Sequence, residues 1–318
     1  IIGGLTRLTD SGLSMVDWRP IMGIIPPISY QSWMNVFVQY QQTPEYLIIN
    51  KNISLNEFKY IFWWEYSHRI FARIIGFVFL IPFIYFLLKK YLSKKTIMQL
   101  TFVFIFGLIQ AVVGWWMVKS GLNNDPYVSQ YRLAFHLGNA IIILGILFWM
   151  TLENLLPKNN LSRINVVGKN LIFFSLILCF ITIISGSLVS GTDAGKSFNT
   201  FPLMNEKFFP DGYLLEKNFL LNLFENTIAI QFNHRWLAIF SFLFISFSAL
   251  YTLKFSKTNL HKISSYLICF FAFFQVIIGI FTLIYNVPIL LASLHQANAS
   301  LLFCSIIFTF YIYSNKIK

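Results

Sequence analysis

Charged residues are scarce in this chain of 318 residues, at 11% of the total, whereas hydrophobic residues make up 57%. An average soluble protein is about 25% charged and about 45–50% apolar, so a soluble domain could not bury this much apolar surface. Acidic residues are especially few, with 12 Asp and Glu against 24 Lys and Arg. The composition therefore predicts a polytopic membrane protein.

Cysteine is also rare, and the three cysteines all fall inside apolar runs: Cys179, Cys269 and Cys304. Their wide separation supports neither a disulfide framework nor a zinc site. We interpret them as small core residues.

The net charge of +12 does not indicate a nucleic-acid partner, because the basic residues lie in short loops between apolar runs. The loops on one side carry twelve Lys and Arg and a single acid, Glu153. These loops are residues 89–95, 153–169, 254–262 and the tail NKIK. Because basic loops stay inside, this side faces the cytoplasm of a bacterium or the matrix of a mitochondrion. His261 belongs to one of these loops and is expected to be solvated there.

A membrane-spanning helix needs about 20 apolar residues, and seven stretches qualify. They are residues 66–88, 97–118, 132–152, 170–190, 228–253, 263–284 and 289–313. The opening residues IIGGL are typical of the tail of a further, truncated helix, which brings the expected number of spans to eight. Between the spans, segment 29–42 predicts a short outer helix, lying either on the membrane surface or packed within its loop.

The two halves of the chain match at four places in the same order. IIGGLTRLTDSGLS matches ISGSLVSGTDAGKS, WEYSHR matches IQFNHR, IQAVVG matches FQVIIG, and HLGNA matches HQANA. The fold class is therefore predicted to be all-α, with two pseudo-symmetric four-helix bundles in the membrane. We place these bundles at residues 1–155 and 156–318 and expect a two-fold pseudo-axis along the membrane normal.

Four of the five histidines occupy equivalent positions of the repeats: His68, His136, His234 and His295. Each lies in the first turns of an even-numbered helix, so all four should sit at similar depth toward the outer side. Two imidazoles that face each other across a helical bundle are a recurrent way to hold haem iron. Zinc and proton relay remain alternatives, although neither explains one pair in each half.

Two further residue types accompany these histidines. His136 and His295 are each followed three residues later by an asparagine, which either orients the ligand or bonds a neighbouring helix backbone. Arg69 and Arg235 directly follow the other two histidines, and Arg73 lies one turn further on. These arginines either bind haem propionates or extend to the outer surface.

The repeat symmetry breaks at one informative position. Glu65 lies three residues before His68, and the matching residue before His234 is Gln231. Only the glutamate can exchange a proton or offset positive charge, so one bundle can support acid–base chemistry while the other holds a cofactor. The alternative is a structural ion pair between Glu65 and Arg69, four residues apart.

Several long motifs together resemble the haem A synthase family, in its mitochondrial and alphaproteobacterial branch. They are GGLTRLTDSGLSMVDWRP, EFKYIFWWEYSHRIFARIIG, MVKSGL, VSQYRLAFHLGNA, GTDAGKSFNTFPLMN, FNHRW and LHQANA, in order along nearly the whole chain. The resemblance implies a membrane enzyme that oxidises a methyl group of haem O, through a hydroxymethyl stage, to the formyl group of haem A for terminal oxidases.

The resemblance also assigns roles to residues. It implies that His68 and His136 belong to the substrate-haem site, that His234 and His295 ligate a haem b that passes electrons, and that Glu65 is catalytic. The outer loops lack the cysteine pair of some bacterial members, so a redox role for such a pair does not carry over. Expected partners are haem O, the lipid bilayer, haem O synthase and an electron donor, and a homo-oligomer is left open. A di-haem b-type electron-transfer protein and a duplicated transporter are the competing hypotheses.

Overall fold

The computed structural model describes residues 1–17, 22–123, 126–156, 165–256 and 258–314, and its regular elements in this part of the chain are helical. The helices are α1 (Ile2–Leu8), α2 (Tyr30–Tyr40), α3 (Pro44–Ile48), α4 (Leu55–Leu88), α5 (Lys94–Gly121), α6 (Gln130–Leu155), α7 (Val166–Gly191), α8 (Phe219–Phe224), α9 (Thr227–Lys254), α10 (Asn259–Ile284) and α11 (Ile289–Ser314). The predicted all-α class is confirmed.

Seven of the described helices are long and apolar enough to cross a membrane: α4, α5, α6, α7, α9, α10 and α11. Each coincides with one of the seven predicted spans, and most ends differ by only a few residues. The expected eighth span corresponds only to α1, a helix of seven residues at the start of the chain. The protein is therefore an integral membrane protein, as predicted.

Helix α4 begins eleven residues before the predicted start of its span, at Leu55 instead of residue 66. Ser54 caps this end, because its side chain accepts from the backbone N–H of Glu57 while the Glu57 carboxylate accepts from the N–H of Ser54. At 1.5 Å per residue, 34 residues extend for about 51 Å, which exceeds a hydrocarbon core of about 30 Å. The additional length forms a projecting end of α4.

The short helix α2 packs on this projecting end, and α3 adds Tyr46 at the edge of the contact. The contact is an aromatic cluster formed by Trp33, Phe37, Tyr40, Phe58 and Phe62, all buried. Trp33 and Phe62 meet edge to face, with ring centroids 4.9 Å apart. The predicted outer helix therefore exists at Tyr30–Tyr40, and its buried aromatic face supports the interpretation of a packed loop helix.

The chain forms two compact units, Ile1–Asn139 and Ala140–Lys318. In the second unit, α7, α9, α10 and α11 pack through buried small polar residues. Ser175 and Ser248 donate to carbonyls four residues earlier, and the Oγ atoms of Thr182 and Ser241 join α7 to α9 at 2.6 Å. Small residues of this kind allow close helix packing in membranes.

Some sequence predictions are not tested by these helix bounds and contacts. The boundary at 155/156 and the two-fold pseudo-axis stay predictions. Portions of the predicted basic loops, residues 157–164, 257 and 315–318, lie outside the described residues, as do residues 18–20 of the first family motif.

His261 is half-buried instead of solvated, with its ring against Tyr313 at a centroid distance of 4.9 Å. The cysteines are free, with Cys179 buried and Cys269 and Cys304 half-buried.

Candidate haem-binding site

In the first unit, each predicted histidine packs against a glycine of a neighbouring helix. A methyl group added at Gly3 would stand 3.0 Å from Nε2 of His68. A methyl group added at Gly114 would stand 3.0 Å from Cε1 of His136. Because carbon atoms rarely approach this closely, both imidazoles occupy the space that the absence of a Cβ leaves open. We call each such arrangement a glycine seat.

The second unit repeats these glycine seats at the matching sequence positions. A methyl group at Gly186 would stand 3.2 Å from Cε1 of His234, and one at Gly279 would stand 2.8 Å from Cε1 of His295. Gly186 follows Gly3 by 183 residues, and Gly279 follows Gly114 by 165, which are the offsets of the sequence repeat. The internal duplication therefore preserves the seat together with the histidine.

The histidines also lie near one another in the predicted pairs. His136 is within electrostatic range of His68, and His234 is within range of His295. All four side chains are half-buried. Each unit therefore holds two half-buried imidazoles that influence each other electrostatically.

Glu65 is 2% exposed and is anchored to the loop that follows α1. Its Oε2 atom accepts from Ser14 Oγ at 2.7 Å and from the backbone N–H of Met15 at 2.8 Å. Its Oε1 atom accepts from Arg69 at 2.5 Å. The ion pair that the spacing suggested is therefore present, and it stands on the same helix face as His68, which Glu65 affects electrostatically.

Gln231 takes the corresponding place in the second unit with a different bonding pattern. Its amide nitrogen donates to the carbonyls of Gly195, at 3.2 Å, and Phe198, at 3.0 Å. Its Oε1 atom is buried without a hydrogen-bond partner in the described part of the chain. Both residues thus tie α4 or α9 to an outer loop, but only the first unit does so with a carboxylate.

The two predicted arginines bind loop carbonyls. Arg69 donates to the carbonyls of Met15 and Asp17, at 2.9 and 3.4 Å, in addition to Glu65. Arg235 donates to the carbonyls of Thr200 and Phe198, both at 2.7 Å. These bonds tie both arginines to the backbone of the outer loops.

Two glutamines next to the histidines were not singled out from the sequence. Gln110 Nε2 lies 3.2 Å from His136 Nε2, and Gln275 Nε2 lies 3.2 Å from His295 Nε2. In each unit an asparagine bonds the glutamine, since Asn139 donates to Gln110 and Asn298 to Gln275, both at 2.7 Å. The sequence repeat could have identified these glutamines, because both lie inside the matching stretches IQAVVG and FQVIIG.

The asparagines make the backbone hydrogen bond that was one of the two roles the sequence left open. Asn139 donates to the backbone carbonyl of Phe106 at 3.0 Å, and Asn298 donates to that of Phe271 at 2.9 Å. The same amide nitrogens also bond the glutamines that contact the histidines. Each asparagine therefore links two helices and at the same time reaches a histidine through one intermediate side chain.

The residues present fit a haem in each unit. Imidazole nitrogens are common axial ligands of haem iron, and His136 Nδ1 is buried without a hydrogen-bond partner among the described residues. The glycine seats let each ring lie directly against the backbone of a neighbouring helix. Ser185 Oγ lies 3.1 Å from His234 Nδ1, the kind of contact that orients a ligating imidazole.

A second buried carboxylate lies in the projecting outer segment, away from the spans. Glu45 is 4% exposed, and its Oε2 accepts from Tyr40 Oη at 2.9 Å. Asn50 in turn donates to Tyr40 Oη at 2.8 Å. Burial raises the pKa of Glu45 from 4.5 to about 8, because the charged form loses its hydration.

Together the fold and these sites define a polytopic helical membrane protein with a duplicated pair of histidine sites suited to haem. Comparison with known sequences gives the family. The profile of the COX15-CtaA family, described as cytochrome oxidase assembly protein, matches residues 1–307. The chain belongs to this family.

Curated relatives agree along nearly the full length. A protein of Nitrosospira multiformis is 42% identical over 306 residues, covering 95% of this chain and 86% of the relative. One of Maricaulis maris is 42% identical over 307 residues, covering 96% and 89%. One of Rickettsia rickettsii is 38% identical over 318 residues, covering 98% and 93%. All three are named heme A synthase.

Proposed function

We propose that the chain is a haem A synthase, an oxidoreductase that converts a methyl group of haem O into the formyl group of haem A. The observation that carries this proposal is the unequal pair of sites, one with Glu65 beside its histidines and the other with Gln231. Two equal sites would serve electron transfer alone, whereas a carboxylate in one of them provides for proton transfer. The relatives named heme A synthase support the same activity.

His68 and His136 hold the substrate haem in this proposal, and His234 and His295 hold a haem b. The bound haem b supplies a one-electron redox centre. Arg69 and Arg235 lie beside the two ligand sets and provide N–H groups for propionates. Arg235 Nε is buried and makes no hydrogen bond within the described residues, which leaves this donor for a carboxylate.

The reaction exchanges two methyl hydrogens for one oxygen. With water as the oxygen source, four electrons and four protons leave in two equal stages, and the hydroxymethyl compound stands between them. In each stage the methyl carbon loses two electrons and a proton, and water adds with the loss of a second proton. The second stage gives a geminal diol, which releases one water to form the formyl group. The electrons require an external acceptor. Glu65 accepts a proton at Oε1, where Arg69 is the one hydrogen-bond donor among the described residues.

Arg69 and the loop also fix the position of Glu65. A guanidinium, a hydroxyl and a backbone N–H all donate to its carboxylate. An anion next to the substrate haem stabilises positive charge that develops on the methyl carbon during oxidation. Glu65 is thus both a base and an electrostatic stabiliser in this mechanism.

The site lies toward the outer side of the membrane, because the histidines stand near the ends of the helices opposite the basic loops. The membrane is the cytoplasmic membrane of a bacterium or the inner membrane of a mitochondrion. A haem O synthase and an electron-transfer protein are the partners that this reaction requires.

Haem extraction tests the proposal directly. The protein is produced in cells that make haem O, purified, and its haems are extracted and separated by chromatography. We expect haem A or its hydroxymethyl precursor together with haem b. Haem b alone, at two per chain, would instead identify a di-haem electron-transfer protein, which the near-identical histidine, glycine, glutamine and asparagine sets of the two units favour. A haem-free protein would leave the transporter hypothesis.

A further inference from the structure

The first unit contains both of the buried acidic residues in the described part of the chain. Glu65 is 2% exposed and Glu45 is 4% exposed. In the second unit Gln231 takes the place of Glu65, and the buried polar residues of the outer loop are the amides Asn222 and Asn226. The unit proposed to oxidise the substrate is therefore the one with two buried carboxyl groups that can exchange protons.

Glu65 needs a group to which it can pass protons. Because each haem O loses several protons on its way to haem A, Glu65 must release each proton before it accepts the next. Its described hydrogen-bond partners are Ser14 Oγ, the backbone N–H of Met15 and Arg69. Of these three donors only a hydroxyl can accept one proton while it donates another. The proton therefore continues either through Ser14 or to a further acceptor nearby.

Glu45 is close enough to Glu65 for their charges to interact. Burial is the largest cause of the raised pKa of Glu45, about 8, and the charges of Glu65 and Asp10 raise this pKa further. Tyr40 and Arg7 act in the opposite direction and lower it. The side chain of Asp10 is 63% exposed. Glu45 thus lies within electrostatic range of both the buried Glu65 and a carboxylate in contact with solvent.

The surroundings of Glu45 suit a group that takes and releases protons in turn. Asn50 Nδ2 donates to Tyr40 Oη at 2.8 Å, and Tyr40 Oη donates to Glu45 Oε2 at 2.9 Å. This bond favours the ionised carboxylate, whereas burial favours the protonated one. Within the described residues no Lys or Arg forms an ion pair with Glu45. Such a balance leaves its proton affinity near neutral pH, where a group can both accept and donate.

We propose that Glu45 is the second proton acceptor of the first unit, which takes protons from Glu65 and releases them to water on the outer side. This inference rests on the activity given under Proposed function. In each transfer the O–H bond on Glu65 breaks and one on Glu45 forms, and the proton then passes to water without movement of electrons. Glu45 acts through Glu65, and Ser14, in contact with Glu65, is the described group that can start the transfer.

The first test measures the protonation of Glu45 in the purified full-length protein, independently of activity. Infrared spectra recorded as the pH rises should show a carboxyl band that disappears with a midpoint near pH 8 and is absent from Glu45→Gln. In Glu65→Gln the neighbouring negative charge is gone, so the midpoint should move to lower pH. Tyr40→Phe keeps the ring in the aromatic cluster but removes the donor, so the midpoint should move to higher pH.

The second test measures the pH profile of haem A formation at saturating haem O. Glu45 must be ionised to take the next proton, so the wild-type rate should rise with pH through a step near pH 8. Glu45→Gln should remove this step and lower the maximal rate by about 10²-fold, the low end of the range for a proton-transfer group. The KM for haem O should stay unchanged, because the histidines are intact.

Two further variants serve as control and substitute. Glu57 is an exposed carboxylate of the same outer segment, and glutamine preserves its capping box with Ser54. Glu57→Gln should therefore leave the rate and its pH profile unchanged. If Glu45→Gln does not fold, Tyr40→Phe replaces it, and the step in its rate profile should move to higher pH together with the infrared midpoint.

The outcomes separate this inference from the activity beneath it. A wild-type protein that forms no haem A overturns the proposed function and this inference with it. A wild-type protein that forms haem A, together with an unchanged rate and pH profile in Glu45→Gln, overturns the proton transfer by Glu45 alone. An unchanged infrared midpoint in Glu65→Gln would overturn it as well, because the two carboxyl groups would then be independent. An equal loss of rate in Glu57→Gln and Glu45→Gln would also do so, since the effect would be nonspecific.

Discussion

Glu65 and Gln231 occupy the same position of the two repeats, but they hydrogen-bond their outer loops with opposite polarity. The Glu65 carboxylate accepts from Ser14 and from the backbone of Met15. The Gln231 amide donates to the backbone carbonyls of Gly195 and Phe198. Each loop therefore presents the complementary partner for its own side chain, so exchange of the two residues would disturb both the chemistry and the loops.

Replacement of the carboxylate should remove activity while haem remains bound. In Glu65→Gln we expect a decrease of about 10²–10⁴-fold in the formation of haem A, the range that loss of a general base commonly causes. Total haem per chain should stay near the wild-type value, because the histidines and glycine seats are intact. Chromatography of extracted haems and the pyridine haemochrome assay measure the two quantities. Wild-type levels of haem A in this variant would refute the catalytic role.

The matched exchange in the second unit should affect stability instead of chemistry. In Gln231→Glu the carboxylate would face the carbonyls of Gly195 and Phe198, which offer no donor. Burial of a charge against acceptors is unfavourable, so the melting temperature should fall and haem b should be lost more readily. Thermal unfolding in detergent, followed by the haem absorbance, measures this effect. An unchanged melting temperature would contradict the described hydrogen bonds of Gln231.

Removal of Arg69 should destabilise the first unit more than removal of both members of its ion pair. Arg69→Leu leaves the buried Glu65 carboxylate without its cation, which commonly costs about 3–5 kcal/mol. The double variant Glu65→Gln/Arg69→Leu should lose less stability than the sum of the single variants, because no buried charge remains. Denaturant titrations of the four proteins give this coupling. Simple additivity would mean that the ion pair contributes nothing specific.

A single methyl group added at a glycine seat should cause a large loss of bound haem. Gly279→Ala and Gly114→Ala should displace the adjacent imidazoles and empty the haem site of their own unit, because the new carbon would stand 2.8–3.0 Å from a ring atom. Gly107→Ala is the control on α5, since a methyl group there has open space around it. It should be neutral or slightly stabilising, as expected for alanine in a helix. Equal haem loss in all three variants would contradict the proposed role of the seats.

The outer segment should lose stability as the pH rises. The folded protein holds a proton on Glu45 up to about pH 8, whereas a carboxyl in the unfolded chain releases it near 4.5. Stability is therefore highest below the lower value and declines as the pH rises to the upper one. Glu45→Gln keeps an acceptor for Tyr40 and should flatten this dependence. Near-ultraviolet circular dichroism of the aromatic cluster during thermal melts measures it, and parallel curves for the two proteins would contradict it.

The membrane spans could be predicted closely because the length of an apolar run is nearly sufficient to define a transmembrane helix. The start of α4 could not be found in this way, since residues 55–65 mix charged and aromatic side chains and lie outside the apolar run. A capping box at Ser54 and Glu57 was the available signal. Local hydrogen bonding, instead of hydropathy, determines where this helix begins.

The candidate haem ligands could be predicted from the sequence because each repeat carries two histidines, at positions that match those of the other repeat. The partners of Glu65 were not visible, because Ser14 is 51 residues away and its position depends on the path of a loop. The glutamine contacts depend on how α5 faces α6 and α10 faces α11, which no single helix pattern specifies. Repeat alignment could have drawn attention to Gln110 and Gln275, since duplication preserved them as well.

The segment from Gly3 to Met15 lies across α4 and contacts it at two functional residues. Gly3 receives the ring of His68, and the backbone of Met15 receives the carboxylate of Glu65. The positions of the His68 ring and the Glu65 carboxylate, one helical turn apart on α4, are therefore both set by contacts with this segment. A rotation of α4 about its own axis would break both contacts at once but would keep His68 and Glu65 at the same distance from each other. The site would therefore be disrupted by misalignment of α4 with this segment and not by separation of the two residues.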